Sequence, residues 1–208
     1  MTLDPRTSPA AAWQALVNGN HRFVGGVPAH PRQDIDRRET VAEAQRPFAA
    51  LFGCADSRLS AEIIFDVGLG DLFVVRNAGQ VIAETILGSL EYSVEVLGVP
   101  LILVLGHDEC GAIRATIDAT EGKLNSKGEF IHNLVERIRP TVLAANAAGK
   151  HNIDDVTELH VQDTINELLT RSTLIADAVK SGNLAVVGAN YKLALGEIHP
   201  IVIVGAIE

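Results

Sequence analysis

Cys54, Asp56 and Arg58 stand in one short segment, and His107 and Cys110 stand in a second segment further along the chain. Two thiolates and one imidazole suit Zn²⁺, and three protein ligands leave the fourth tetrahedral position open for chemistry. A closed structural site would want a fourth Cys or His close by. Cys54 and Cys110 are the only cysteines, and no other His is near either segment. Each half is weak alone: His-x-x-Cys arises by chance, and a lone Cys after a strand is commonly a small buried hydrophobe. Together they are more specific, because both cysteines fall at the ends of apolar runs. Alternate residues of an extended Cys54-Ala55-Asp56-Ser57-Arg58 segment point the same way, so thiolate, carboxylate and guanidinium are expected to face one cavity. An exposed loop salt bridge is the plainer alternative for Asp56 and Arg58.

Positioning these groups falls to the apolar runs. Phe48 to Gly53 is continuously apolar and suits a strand buried on both faces of a parallel sheet. Leu72 to Val75 and Leu101 to Leu105 read as the second and third strands, with Leu184 to Val187 and Ile201 to Val204 as two more. Helices are expected from Thr7-Ser8-Pro9 onward, over Asp36 to Gln45 up to Pro47, after Ser60, and over Ala83 to Leu97. A longer helical region follows His107, broken by Gly122, Gly128 and Pro140, and Val156 to Val179 reads as one helix. Strands alternating with helices predict an α/β fold, with a mainly parallel central sheet of four to five strands flanked by helices. Ligands in such sheets gather at the carboxyl ends of strands where the strand order reverses. If the first and third strands are neighbours there, Cys54, His107 and Cys110 converge. No linker divides the chain, so 1–208 is expected to be one domain, with 1–35 an N-terminal helix and extended arm.

The chain carries 17 Lys+Arg and 26 Asp+Glu, a net charge of −9, which gives no electrostatic reason to bind nucleic acid or an anionic membrane. Hydrophobic residues make up 47%, enough for a substantial core, and no stretch approaches a membrane span. Met1 to Arg6 lacks a basic segment followed by an apolar one, so no leader and a cytoplasmic location are expected. In a reducing compartment two thiols are free or metal-bound rather than bridged.

Cys54-x-Asp56-x-Arg58, then His107-x-x-Cys110-Gly111, resembles the β-class carbonic anhydrases, the mycobacterial members among them. The resemblance runs from about Gly19-Asn20 through Gly196 and includes Arg76-Asn77 and Glu91-Tyr92. It implies reversible hydration of CO2 to bicarbonate and a proton, by attack of zinc-bound hydroxide, with one Zn²⁺ per subunit held by Cys54, His107 and Cys110. Asp56 would orient the nucleophile and Arg58 would fix Asp56. Gln45, Gly111, Phe73, Ala78 and Tyr92 would bind substrate, with Gln45, Phe73 and Tyr92 reaching across from a partner subunit. Phe73 and Tyr92 also fit ordinary core positions. Ala78 stands where Val is usual, which widens the pocket. The resemblance further implies self-association as a homodimer or homotetramer, and a closed state in which Asp56 becomes the fourth zinc ligand. A regulatory bicarbonate site of Trp, Arg and Tyr would be matched by Arg76 and Tyr191, but Leu51 replaces the Trp. Hydrolysis of COS or CS2, and a non-enzymatic protein stabilised by zinc, are the rival readings.

Overall fold

A strand without a polar face must be covered on both sides, and the computed structural model, which describes residues 4–207, does this with a five-stranded sheet. Met1, Thr2 and Leu3, part of the segment read above for a leader, lie outside the described residues, as does Glu208. The strands are β1 (Ala49–Cys54), β2 (Leu72–Asn77), β3 (Leu101–His107), β4 (Ala185–Lys192) and β5 (Glu197–Val204). Their order is β2-β1-β3-β4-β5, parallel throughout except that β5 runs antiparallel to β4. The expected strands are all present, most of them extended at the end that bears the site. Cys54 and His107 are therefore the last residues of their strands rather than the first beyond them. The polar start of β5 escaped the pattern because it lies on an edge. Pro200 is tolerated there beside an irregularity opposite Gly188/Ala189.

Eight helices are described: α1 (Pro9–Val24), α2 (Ile35–Thr40), α3 (Ala61–Ile64), α4 (Glu84–Glu95), α5 (Gly111–Thr120), α6 (Glu129–Ala147), α7 (Ile153–Arg171) and α8 (Thr173–Lys180). Three expectations need correction. The charged helix does not reach Gln45: α2 ends at Thr40, because it buries no side chain that would repay further ordering. Pro140 sits inside α6 instead of breaking it, since the buried stripe Val135, Ile138, Val142 and Ala145 continues across it. The helix expected over Val156 to Val179 is two helices. Ser172 separates them, its Oγ accepting from the Ile175 N–H at 3.2 Å and donating to Glu91 at 2.6 Å.

Side chains of β3 alternate between two apolar layers. Leu101, Leu103 and Leu105 meet Ala12 and Leu16 of α1, Ile64 of α3, Ile113 of α5 and Ile138 of α6. Ile102 and Val104 meet Leu90 of α4, Val161 and Ile165 of α7 and Ile175 of α8. Each fully buried Leu or Ile contributes about 1.5–3 kcal/mol. The sheet is thus rigid at the strand ends where the site is built. Among the described residues no helix is long and apolar enough to cross a membrane.

The N-terminal arm is bound to this core by polar contacts. Gly19 lets α1 press on the following layer, for a Cβ there would lie 1.7 Å from the Phe65 carbonyl oxygen. Asp66 is the anchor beyond it. Its carboxylate accepts from Arg22 Nε at 2.5 Å and from the Ala29 and His30 amides at 2.9 Å each. Burial alone would raise its pKa, yet these donors hold it below the ordinary 3.8. Asp66→Asn should cost about 2 kcal/mol in urea unfolding near neutral pH, less than for a wholly buried pair because Arg22 keeps part of its side chain in water. A lowered folded pKa means stabilisation that is full above the unfolded value and is lost as pH falls through the folded one. The gap between parent and Asp66→Asn should therefore close below about pH 4.

Candidate metal centre

β1 and β3 are neighbours, with β2 on the far side of β1, so the strand order reverses between the ends that carry Cys54 and His107. Cys110 follows on a short turn that Glu109 makes with a left-handed φ of 50°. That turn is pinned to the end of β4: the Asp108 N–H donates to the Tyr191 carbonyl at 3.2 Å, and the Leu193 N–H donates to Asp108 Oδ1 at 2.9 Å. The result is a group in which one ligand atom each from Cys54, His107 and Cys110 lies within 4.8 Å of the others, all three residues buried.

The donor set fits a zinc ion. His107 Nδ1 lies 2.8 Å from the Asp108 carbonyl oxygen, which can only accept, so Nδ1 carries the proton and Nε2 carries the lone pair. Nε2 is buried with no partner of its own. A buried acceptor left so is costly unless something electrophilic faces it. Both cysteines are free thiols. Cys54 is pushed well below the ordinary thiol range, first because Cys110 donates to it and then by the Gly79 N–H, whose nitrogen lies 3.4 Å from the sulfur. Cys110 is held up in turn, as the donor in that contact and by burial. Its sulfur makes no cap bond of ordinary length at the start of α5, but the Ala112 and Ile113 amides favour its charged form.

Asp56 and Arg58 meet as expected, but through a turn and not an extended strand. The Leu59 N–H donates to the Asp56 carbonyl at 3.1 Å, and the Arg58 N–H donates to Asp56 Oδ1 at 2.9 Å. The guanidinium then folds back in a bidentate pair, Nε to Oδ1 at 2.9 Å and Nη2 to Oδ2 at 2.7 Å. That pair holds the Asp56 carboxyl well below the usual carboxylate range. Asp56 Oδ2 is also 3.9 Å from His107 Nε2, so the carboxylate stands beside the ligand group while bound to arginine. Arg76 clamps the same turn, donating to the Cys54 carbonyl at 2.8 Å and the Asp56 carbonyl at 2.7 Å.

The other expected positions divide. Gly111 opens α5 directly after Cys110, and Ala78 precedes the Gly79 that faces Cys54. Phe73 and Tyr92 pack together at 6.1 Å between ring centroids, on edge strand β2 and α4. Phe73 pairs with Ala50, at the opposite end of β1 from Cys54, so within one chain these rings are away from the centre. Gln45 lies exposed on the loop after α2. Leu51 and Arg76 line one small cavity of about 10 Å³ together with Cys54. Pattern reading misses the Arg76 clamp and the buried His160. Its contact with Gly79 spans 81 residues, and no local signal marks it.

A protein-family model described as carbonic anhydrase matches residues 49–198. The carbonic anhydrase of Mycolicibacterium smegmatis is 51% identical over 196 residues, 94% of each chain. Carbonic anhydrase 2 of Mycobacterium tuberculosis is 50% identical over 190 residues, 91% of each. The solved Coccomyxa β-carbonic anhydrase in complex with acetazolamide has a TM-score of 0.72 at 26% identity, covering 92% of this chain and 87% of that one.

Proposed function

Since this chain belongs to the β-class carbonic anhydrases, and so catalyses the zinc-dependent reversible hydration of carbon dioxide to bicarbonate and a proton, we propose how its own residues divide that work. Cys54, His107 and Cys110 hold the metal, one site per subunit. The observation that carries this is the His107 Nε2 lone pair, buried, unpartnered and grouped with two sulfurs. When bound, zinc supplies the Lewis acidity that makes water a nucleophile near neutral pH. Asp56 accepts a hydrogen bond from the reacting water and turns its free lone pair toward CO2, and Arg58 keeps Asp56 ionised and in place. The Gly111 N–H at the start of α5 and the Gln45 amide donate to the forming bicarbonate. Ala78, Phe73 and Tyr92 give an apolar wall suited to CO2.

Gln45, Phe73 and Tyr92 do this work from a second copy of the chain. Supporting that reading, Tyr92 of α4 is 44% exposed and Val96, just past the end of that helix, 60%, near the edge strand β2 that self-association would bury. The assembly is a homodimer or a pair of dimers, each subunit a single domain over 1–208 with 1–35 as its helical arm. Its location is the cytoplasm, a compartment that suits two free thiols. Stopped-flow CO2 hydration by the purified protein, run beside COS and CS2 hydrolysis, tests the assignment. Rapid CO2 turnover is expected, and activity on CS2 alone would overturn it.

A further inference from the structure

After β2 the chain makes two successive left-handed residues, Gly79 at φ 70° and Gln80 at φ 38°. Glycine is required at the first: a Cβ there would lie 2.8 Å from the Ala112 Cβ and 3.0 Å from Ile138 Cδ1. Gln80 has no such excuse, for left-handed backbone is disfavoured for any residue with a Cβ. Strain of this kind persists only where its surroundings impose it. Asn77 imposes part of it, its amide bonding both ways with Val81 at 2.8 and 2.9 Å. The other restraint comes from the opposite layer. His160 of α7 is 5% exposed, and its Nε2 lies 2.7 Å from the Gly79 carbonyl oxygen. A carbonyl only accepts, so Nε2 carries the proton, and burial keeps the ring neutral. Gly79 is thus held by its carbonyl from one side while its N–H meets the Cys54 sulfur at 3.4 Å.

We propose that His160 is a positioning residue for the metal centre: by gripping the Gly79 carbonyl it keeps the Gly79 N–H aimed at Cys54 Sγ. The amide draws electron density from the thiolate, so that Cys54 donates less charge to the metal it holds. In a site with two thiolates this matters, because each thiolate lowers the acidity that catalysis needs. The proposal rests on the reading of Cys54 as a ligand and deepens it. No part of it asks His160 to touch substrate or to change its protonation.

Cobalt-substituted protein tests this, since the energy of sulfur-to-cobalt charge transfer reports the charge on the ligand sulfur. His160→Leu should move that band to lower energy, as the sulfur regains charge, and should weaken zinc retention against a chelator roughly tenfold, because the Gly79 turn released from His160 no longer holds the Cys54 sulfur in place. His160→Gln, which can still donate to Gly79, should return both toward the parent. If His160→Leu fails to fold, His160→Asn, polar but too short to reach, carries the same expectation. A band left in place by a folded His160→Leu or His160→Asn overturns the proposal while leaving the ligand assignment standing. A parent protein with no sulfur-to-cobalt band overturns the ligand assignment and the proposal with it.

Discussion

Cys110→Ser should purify with almost no zinc and hydrate CO2 no faster than buffer. The serine hydroxyl stays protonated at neutral pH and is a poor ligand for a borderline-soft ion, so only Cys54 and His107 would remain. The change is gentle to the fold. Cys110 is the N-cap of α5, a position that serine favours, and it is buried with no cap bond to lose. Loss of metal can then be separated from loss of structure by comparing circular dichroism and zinc content in one preparation. The melting temperature should fall by the contribution of bound metal, and added zinc should raise the parent but not the variant. Equal zinc in parent and Cys110→Ser would break the ligand assignment, and the proposed mechanism with it.

What the residue pattern could reveal depended on range. β1 and β3 announce themselves because a strand covered on both faces needs an unbroken apolar run, and Ala49–Phe52 and Leu101–Leu105 supply one. The three ligands follow, since the side-chain types are rare and the topology brings those two strand ends together. Asp56 and Arg58 were found by proximity, but the turn that joins them was read as extended strand. Its geometry comes from hydrogen bonds between Asp56 and the backbone of Arg58 and Leu59, which spacing does not encode. The break at Ser172 was hidden for a related reason. The apolar spacing runs on through it, and only a contact with Glu91 from another layer shows why the helix stops. Phe73 and Tyr92 pose a different problem, because one chain places them toward the opposite end of β1 from Cys54.

The surroundings of the sulfurs answer a difficulty in the ligand set. Two thiolates cancel the formal charge of Zn²⁺ and make it a weaker acid than three imidazoles would. Backbone amides offset this at both sulfurs, Gly79 at Cys54 and the first turn of α5 at Cys110. Arg76 adds no charge to the sulfurs directly. It closes the Cys54 and Asp56 carbonyls against itself, and so fixes the spacing between Cys54 and the carboxylate proposed to work beside it.

That carboxylate gives the second large effect. Asp56→Asn should keep its zinc and its fold and lose about 10²–10³-fold in kcat, with KM little changed. Asparagine retains Oδ1, so the Arg58 N–H still has its acceptor and the turn survives. The oxygen that becomes an amide stands for Oδ2, the one 2.7 Å from Arg58 Nη2 and 3.9 Å from His107 Nε2. There an NH2 group would face Arg58 donor to donor, and would offer the reacting water a donor where an acceptor is needed. The water would turn its lone pair toward the amide and away from CO2. Because Arg58 holds Asp56 ionised far below neutral pH, the loss should be the same at pH 7 and pH 9. Steady-state CO2 hydration at both values, with zinc measured on the same samples, checks it. A metal that only stabilised the fold would leave Asp56→Asn as active as its parent, and that result would remove Asp56 from the mechanism.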